Sequence, residues 1–422
     1  MEILLLLLLI SLPLQFGRHF WLKNSYIFGL KVDYLSPVFY LQDILILWLI
    51  FLKRKEILFF FESRKKLLIT KYQALLFAYC LLLIANILFS LTPLLSFFAW
   101  LRISEFILLG LVISKNSHKV LEILGKTLPV GLIFEFGLGF VQTLTQSSVG
   151  GLFWFLGERT FNILTPGIAR GVWLGNVFLR PYGTFSHPNS LAGFILVAII
   201  LTLSKKKLNL LDKLSVSLGF VLIILCFSRT VWLVVLALGM YFVLSKIFWG
   251  FKAGFRSKKL SLNFPYLFSL SSILVTIFLF LRTTMEASSF ENRRRLAEYA
   301  FTIIKQNPLF GIGANNFIIS LAQKNTAWQW FYWLQPVHNI FLLAASETGL
   351  IGLVAFSMFL ALSLGNLVKK RSPSSFYLLA SIFGILFTGL FDHYWLTLIQ
   401  NQLLFVVVLG LSWGQENVKM AR

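Results

Sequence analysis

The sequence predicts an all-α integral membrane protein, a polytopic bundle of about twelve transmembrane helices with two long outer-side segments that contain interfacial helices. Three observations carry this. Of 422 residues, 58% are hydrophobic and only 13% are charged, too little polar side chain to cover a soluble globule of this length. The mean hydropathy is +0.81. Apolar runs recur from Leu4 to Leu411 with no polar stretch long enough for a soluble domain, so residues 1–422 read as a single membrane domain.

The runs fall near 1–17, 36–52, 72–90, 93–114, 120–144, 190–204, 211–228, 229–247, 264–281, 339–367, 376–393 and 395–413. Most are about 17 to 25 residues, the length that crosses a bilayer as helix. The first lacks the positive n-region and the small-residue cleavage site of a signal peptide and reads as an uncleaved span. Cys80 and Cys226 each lie in an apolar run, where a thiol behaves as a small hydrophobe; neither a disulfide framework nor a zinc site is expected.

A net charge of +22 would suggest nucleic acid for a soluble chain, but its distribution says otherwise. The lysines cluster at Lys53-Arg54-Lys55, Arg64-Lys65-Lys66, Lys115 and Lys119, Lys205-Lys206-Lys207, Lys252 to Lys259, and Lys369-Lys370-Arg371. All fall on one side if both termini are cytoplasmic, as the retention of basic loops requires. The opposite side then carries the outer segments 145–190 and 282–338. The first holds Arg159, Arg170 and Arg180 and no lysine; the second holds Arg282 and Arg293-Arg294-Arg295 against scattered Lys305 and Lys324. Topology alone does not produce arginine outside and lysine inside. A planar guanidinium, however, holds phosphate oxygens in bidentate geometry better than a lysine does. Trp173 to Leu179 and Leu296 to Lys305 are expected to lie along the interface as amphipathic helices, with Phe153-Trp154-Phe155 and Trp328 to Trp333 in an aromatic belt. No internal repeat is visible, and Gly311-Ile312-Gly313 after Asn307-Pro308 reads as a turn rather than a nucleotide loop, because no strand precedes it.

Three constellations on the outer side carry candidate chemistry. In Arg180-Pro181-Tyr182-Gly183-Thr184-Phe185-Ser186-His187-Pro188-Asn189, Pro188 begins a helix and His187 and Asn189 stand near its free N–H groups. Ser228-Arg229 sits where two apolar runs meet with almost no loop, and an arginine in such a place is costly unless it is paired, hydrated or functional. In Gln335-Pro336-Val337-His338-Asn339, a histidine at the lipid boundary can take a proton from a hydroxyl near neutral pH; Glu347, Gly349 and Gly352 follow in the same span.

Taken together and in order, the His187-Pro188-Asn189 element after Arg180, the Ser228-Arg229 pair, the stretch from Arg293 through Asn307-Pro308-Leu309-Phe310-Gly311-Ile312-Gly313 to Asn316-Phe317, and His338-Asn339 with Gly349 and Gly352 resemble the O-antigen ligase and O-antigen polymerase superfamily. The motifs span 180–353, the expected catalytic region. The resemblance implies a lipid-dependent inverting glycosyltransferase of the bacterial inner membrane. It would need neither nucleotide nor metal, hence no cofactor, and would take an undecaprenyl-diphosphate glycan as donor at the periplasmic or outer face. The acceptor would be a glycan, lipid or protein. Carried over by motif, Arg229, Arg293 and His338 match the functional positions, with Arg180 as a further candidate. The expected division of labour has Arg229 and Arg293, helped by Arg180 or Arg170, holding the diphosphate while His338 accepts the proton of the attacking hydroxyl, with Arg294 a further substrate-binding candidate. His187, Asn189 and Asn339 join them as substrate-binding candidates, and spacing to Pro308 favours Arg293 over Arg294 and Arg295. A membrane transporter, either a lipid-linked glycan flippase or a small-anion carrier, is the rival class. It fits less well, because these charges gather at one face and no repeated halves are seen.

Overall fold

The computed structural model describes residues 1–61, 71–252, 263–283, 287–324, 334–370 and 372–414. A short helix, α1 (Glu2–Ile10), leads into an outer strap of two small hairpins. In these, β1 (Gly17–His19) pairs with β4 (Val38–Tyr40), and β2 (Tyr26–Ile27) with β3 (Leu30–Lys31). There follow α2 (Leu41–Phe61), α3 (Lys71–Leu88), α4 (Pro93–Lys115) and α5 (Ser117–Thr145), then α6 (Leu152–Phe155) and a hairpin of β5 (Arg170–Trp173) and β6 (Asn176–Leu179). The second half comprises α7 (Pro188–Leu203), α8 (Leu210–Leu225), α9 (Arg229–Lys252), α10 (Phe264–Arg282), α11 (Ala287–Gln306), α12 (Phe317–Lys324), α13 (Ile340–Lys370), α14 (Pro373–Gly389), α15 (Tyr394–Thr397) and α16 (Ile399–Ser412).

Each expected apolar run carries a helix. Among the described residues, four are long and apolar enough to cross a membrane: α4, α5, α10 and α13. The others fall short in length or in apolar character; α1 has only 9 residues and stops at Ser11, less than half the length a bilayer core requires. Among the described residues, the turns at Lys119 and Lys370 share one end of the bundle. Lys119 pairs with Glu2 at 3.1 Å, Lys370 donates to the Ser412 carbonyl at 2.9 Å, and Gly414 packs on Ser117. The outer segments differ from expectation in part. Residues 173–179 form the β5–β6 hairpin, not an amphipathic helix. The stretch is rich in Trp, Val and Phe, which suit a pleated ribbon, and Leu174-Gly175, both at positive φ, makes the tight turn that closes it. Residues 296–305 are helical as expected, within α11, which packs along α13; the Trp328 to Trp333 belt lies outside the described residues. Cys80 is exposed on α3, and only Cys226 is buried.

The core is α7, whose residues Ser190 to Thr202 are buried without exception. A helix that is apolar on every side belongs in the centre, and α7 is enclosed by α5, α8, α9, α14 and α16. Its N-terminus holds the 180–187 segment, which is non-helical backbone inside the bundle and must have its polar groups satisfied by protein. Gln142 of α5 does most of this: its Oε1 accepts from the N–H groups of Tyr182 and Gly183 at 2.9 and 2.8 Å, and its Nε2 donates to the Gly183 carbonyl at 3.0 Å. Glu135 accepts from the Thr184 N–H at 3.1 Å, and Gln400 of α16 donates to the Thr184 carbonyl at 3.0 Å.

A second break is built the same way. α13 is interrupted at Gly349 (φ 70°, ψ −178°), and the turn after Asn307-Pro308 docks on the interruption. Ile312 and Gly313 donate to the Ser346 and Glu347 carbonyls at 3.0 Å each, and Leu350 donates to Pro308 at 2.8 Å. Asn86 of α3 locks the joint by donating to the Phe310 and Glu347 carbonyls at 2.7 and 2.8 Å while its Oδ1 accepts from Ala314 at 2.9 Å. The Glu347 carboxylate then accepts from Asn315 and Phe317 N–H at 2.9 and 3.1 Å, capping α12. A side chain at Gly349 would meet the Leu309 carbonyl oxygen at 2.1 Å, and one at Gly311 the Glu347 backbone at 2.5 Å. Gly349→Ala should therefore cost on the order of 3 kcal/mol, through strain at positive φ and loss of this joint, and lower the apparent melting temperature in detergent. Gly365→Ala in the same helix, where nothing lies within 4 Å of an added Cβ, should leave that temperature unchanged.

Candidate active site

The helix start expected at Pro188 is present, and it organises the site. His187 is the N-cap of α7, its Nδ1 accepting from the Asn189 N–H at 3.1 Å. This turns the Asn189 side chain between two charged groups. Its Oδ1 accepts from Arg180 Nη2 at 2.6 Å, and its Nδ2 donates to Asp392 Oδ2 at 3.0 Å. Asp392, just beyond α14, is buried. Its Oδ1 accepts from the His393 N–H at 2.9 Å and lies 3.3 Å from His338 Nδ1. That last contact is close enough for an ion pair but is not aligned as a hydrogen bond, which leaves His338 Nδ1 the one unsatisfied atom at the centre of the cluster. His338 Nε2 faces Gln335 Oε1 at 3.2 Å, and the rings of His338 and His393 lie 5.1 Å apart.

Two further residues tie the α13 entry to the same corner. Asn339 caps α13, accepting from Phe341 and Leu342 N–H at 2.9 Å each, and donates to the Leu390 carbonyl at 3.1 Å. Arg293 of α11 donates to the Phe391 carbonyl at 2.8 Å, next to Asp392. Arg180 also donates from Nε to the Cys226 carbonyl at 2.7 Å, so the tight connection to α9, which Arg229 opens, runs beside it. That connection needs Phe227 at φ 49°, an uncommon conformation for a bulky residue, held by the rings of Trp173, Phe178 and Trp232.

Of the residues singled out from sequence, Arg180, His187, Asn189, Arg293, His338 and Asn339 are thus gathered around Asp392. Arg229 borders the group, partly buried. Arg170 is exposed on β5. Arg294 and Arg295 turn along α11 instead: Arg294 pairs with Glu291 at 2.9 Å and Glu298 at 2.5 Å, and Arg295 with Glu291 at 2.9 Å. Sequence reasoning missed Asp392 and His393. The pair interrupts an apolar run, which is where an acid is expensive and therefore informative. It also missed the strap residue Tyr34, whose ring meets His393 edge-on at 5.6 Å.

The electrostatics follow from burial and these neighbours. Burial alone would raise Asp392, but the adjoining His338, then His393 and Arg293, outweigh it and hold the carboxyl well below its usual range. Burial pulls Arg180 down, opposed by Cys226 and Tyr182 and aided by Arg293. His187 and His393 are pushed down to about 3, in both cases by burial first, and are neutral. The two guanidinium groups face one carboxylate, so the corner retains positive charge suited to an anion. Ligating atoms of His338, Asp392 and His393 come within 4.8 Å of one another, a set able to hold a metal. Here, however, both Asp392 oxygens are engaged, His393 Nδ1 is 2.8 Å from Thr397 Oγ1, and two arginines oppose a dication. The arrangement suits proton handling better.

A cavity of about 2190 Å³ adjoins this corner. Its walls are apolar faces of α3, α4, α13 and α16, reaching from Lys115 and Lys119 at one end to Arg159, Asn315 and Pro336 at the other. The cluster itself does not line it. The cavity comes nearest the cluster at Tyr34, Ser186, Pro336 and Thr397, and the Tyr34 ring, edge-on to His393, forms the partition.

The two neutral buried histidines make stability depend on pH. A histidine held below its unfolded value contributes fully above about pH 6.5 and progressively less as acid is added, because the unfolded chain takes up the proton first. Thermal stability in detergent should therefore fall between about pH 6.5 and pH 4, by up to about 1.4 kcal/mol per pH unit for each histidine. His393→Asn should flatten the slope; an unchanged slope in that variant would mean the ring is hydrated.

Residues 214–357 match the family described as Wzy_C: O-Antigen ligase. The matched stretch contains Arg229, Arg293, His338 and the Gly349 joint; Arg180, Asn189 and Asp392 complete the cluster from outside it. No curated protein matches the chain. Over this stretch, and through the ordered motifs within and beside it, the chain is similar to the O-antigen ligase superfamily.

Proposed function

We propose that the protein is a membrane glycosyltransferase that moves a glycan from an undecaprenyl-diphosphate carrier to an acceptor hydroxyl in surface-polysaccharide biosynthesis. In this reading it acts at the periplasmic or outer face of the bacterial inner membrane. The observation that carries the reading is His338 set 3.3 Å from the buried carboxylate of Asp392, beside Arg180 and Arg293 in a corner with surplus positive charge. Gln335 Oε1 can only accept and so keeps the proton on Nε2 while it stays in place; once it is displaced, Asp392 draws the proton to His338 Nδ1 and leaves Nε2 as the acceptor, as a carboxylate does for a catalytic imidazole elsewhere. The acceptor hydroxyl takes the place of the Gln335 amide at Nε2. Its proton passes to the ring as its oxygen attacks the anomeric carbon, and the bond from that carbon to the diphosphate oxygen breaks with its electron pair going to the diphosphate. Arg293 and Arg180, with Arg229 alongside, stabilise the charge that develops there. A diphosphate leaves without a general acid, and attack opposite to it inverts the anomeric centre. The apolar cavity beside the corner offers room for polyprenyl or acyl chains.

The test is glycan transfer by protein reconstituted with purified undecaprenyl-diphosphate donor and membrane glycolipid acceptor. His338→Ala should lose transfer by roughly 10²-fold or more while still binding donor. Arg293→Lys, which keeps charge but loses the fork, should weaken both donor binding and transfer, and Arg294→Lys should be near wild type because its partners lie along α11. Full transfer by folded His338→Ala would remove the mechanism, and donor crossing the bilayer without transfer would favour a carrier. The orientation has its own check. A cysteine placed at Ser147 should be labelled by an impermeant reagent from outside and one at Lys206 should not; the reverse pattern would turn the protein over.

A further inference from the structure

The partition between the arginine corner and the cavity carries groups that the proposed chemistry does not use. Tyr34, from the strap, lines the cavity. Its hydroxyl has no hydrogen-bond partner among the described residues and is not sealed off. Its ring, that of His393 and that of His338 follow one another at 5.6 and 5.1 Å, so the Tyr34 ring stands one ring away from the base. Arg159, from the loop after α6, lies on the same rim, with a single hydrogen bond to the Ser186 carbonyl at 3.2 Å and no acidic partner among the described residues. Asp33 stands next to Tyr34 on the same rim and likewise forms no ion pair among the described residues. Asp33, Tyr34 and Arg159 line the same cavity, and Arg159 bonds to Ser186, which lines it with them. Tyr34 gains further definition because Asn315 donates to its carbonyl at 3.0 Å, anchoring the strap to the Gly349 joint.

A carboxylate, a guanidinium, a phenol and aromatic ring faces, all without ion-pair partners at the mouth of an apolar cavity, match one ligand class. Adjacent sugar hydroxyls pair with planar acceptors and donors in bidentate fashion, while the C–H face of a sugar ring lies against an aromatic surface. An anionic lipid headgroup would be opposed by Asp33, and an apolar chain by all three groups. From this we infer that Asp33, Tyr34 and Arg159 form the acceptor-sugar subsite. The acceptor glycan enters from the cavity side and presents its hydroxyl to His338, while the diphosphate is held on the far side of the partition by Arg293 and Arg180. The inference rests on the transferase reading for the identity of the reaction, but its binding claim stands separately. These three are specificity-determining positions, not catalytic residues.

Two measurements test it on full-length protein in lipid nanodiscs. In the first, the probe is the oligosaccharide released by mild acid from the source membrane's glycolipid, followed by saturation-transfer NMR without donor. Wild type should give signals from the sugar, and Arg159→Gln and Tyr34→Phe should reduce apparent affinity tenfold or more; no signal with wild type, or equal signals from all three proteins, overturns the subsite. In the second, transfer is measured with acceptor varied at saturating donor and then the reverse. Asp33→Asn, Tyr34→Phe and Arg159→Gln should each raise the acceptor KM at least tenfold with donor KM within twofold of wild type. A rise in donor KM instead would place the diphosphate at this rim and overturn the assignment. Wild type that binds the oligosaccharide but transfers nothing sinks the transferase reading and leaves the subsite standing.

Discussion

Backbone that leaves the helix inside an apolar bundle must find every hydrogen-bond partner in protein, and that requirement shapes this molecule more than any other. Two stretches break the rule of continuous helix, the 180–187 segment and the α13 interruption at Gly349. Each is surrounded by side chains that satisfy it. Gln142 and Gln400 serve the first and Asn86 the second; Gln142 and Asn86 donate and accept at once, while Gln400 donates. The cost of these polar side chains within spans is recovered at the site: one break delivers Arg180 and the α7 cap, and the other fixes α11 to α13 and so sets Arg293 opposite His338.

Within that frame Asp392 is the electrostatic hub. A buried carboxylate is costly alone, yet this one meets Asn189, the His393 N–H and the His338 ring. Asn189 explains why the corner is specific in geometry and not merely basic. Its amide must accept from Arg180 and donate to Asp392 simultaneously, so it links the group that holds an anion to the group that orients a base. Aspartate in its place would repel Asp392, and an alanine would cost Arg180 one hydrogen bond and Asp392 another.

How much of this was legible beforehand follows from distance along the chain. Local features were readable: Pro188 as the first helical residue with His187 as cap, the loop-free junction before Arg229, Asn339 at the start of α13, and the turn at Gly311 to Gly313 all obey rules that act within a few residues. The hairpin at 170–179 was misread because a short aromatic run suits helix and strand alike until the turn residues Leu174 and Gly175 are weighed. Asp392, His393 and Tyr34 were not seen, because nothing local marks a residue whose partners lie tens or hundreds of positions away. Likewise, the three adjacent arginines of α11 are alike in sequence. Only the packing of α11 on α13 separates Arg293, which reaches Phe391, from Arg294 and Arg295, which Glu291 and Glu298 occupy.

The two faces of the partition differ sharply in how their polar groups are held. On the face with Arg180 and Arg293, polar groups are already tied to carbonyls and to Asn189, held in place before any ligand arrives, as stabilisation of developing charge requires. On the cavity face, Tyr34 and Arg159 retain capacity to bond a ligand. A group-transfer site that must hold one substrate rigidly while admitting another has reason to divide its polar residues in this way. His338 lies at the boundary, with one ring nitrogen turned to the buried carboxylate and the other to a displaceable amide. The strap before α2, which carries no span and little hydrophobic core of its own, has its position explained by this division, since it supplies the wall from which the second substrate would be read.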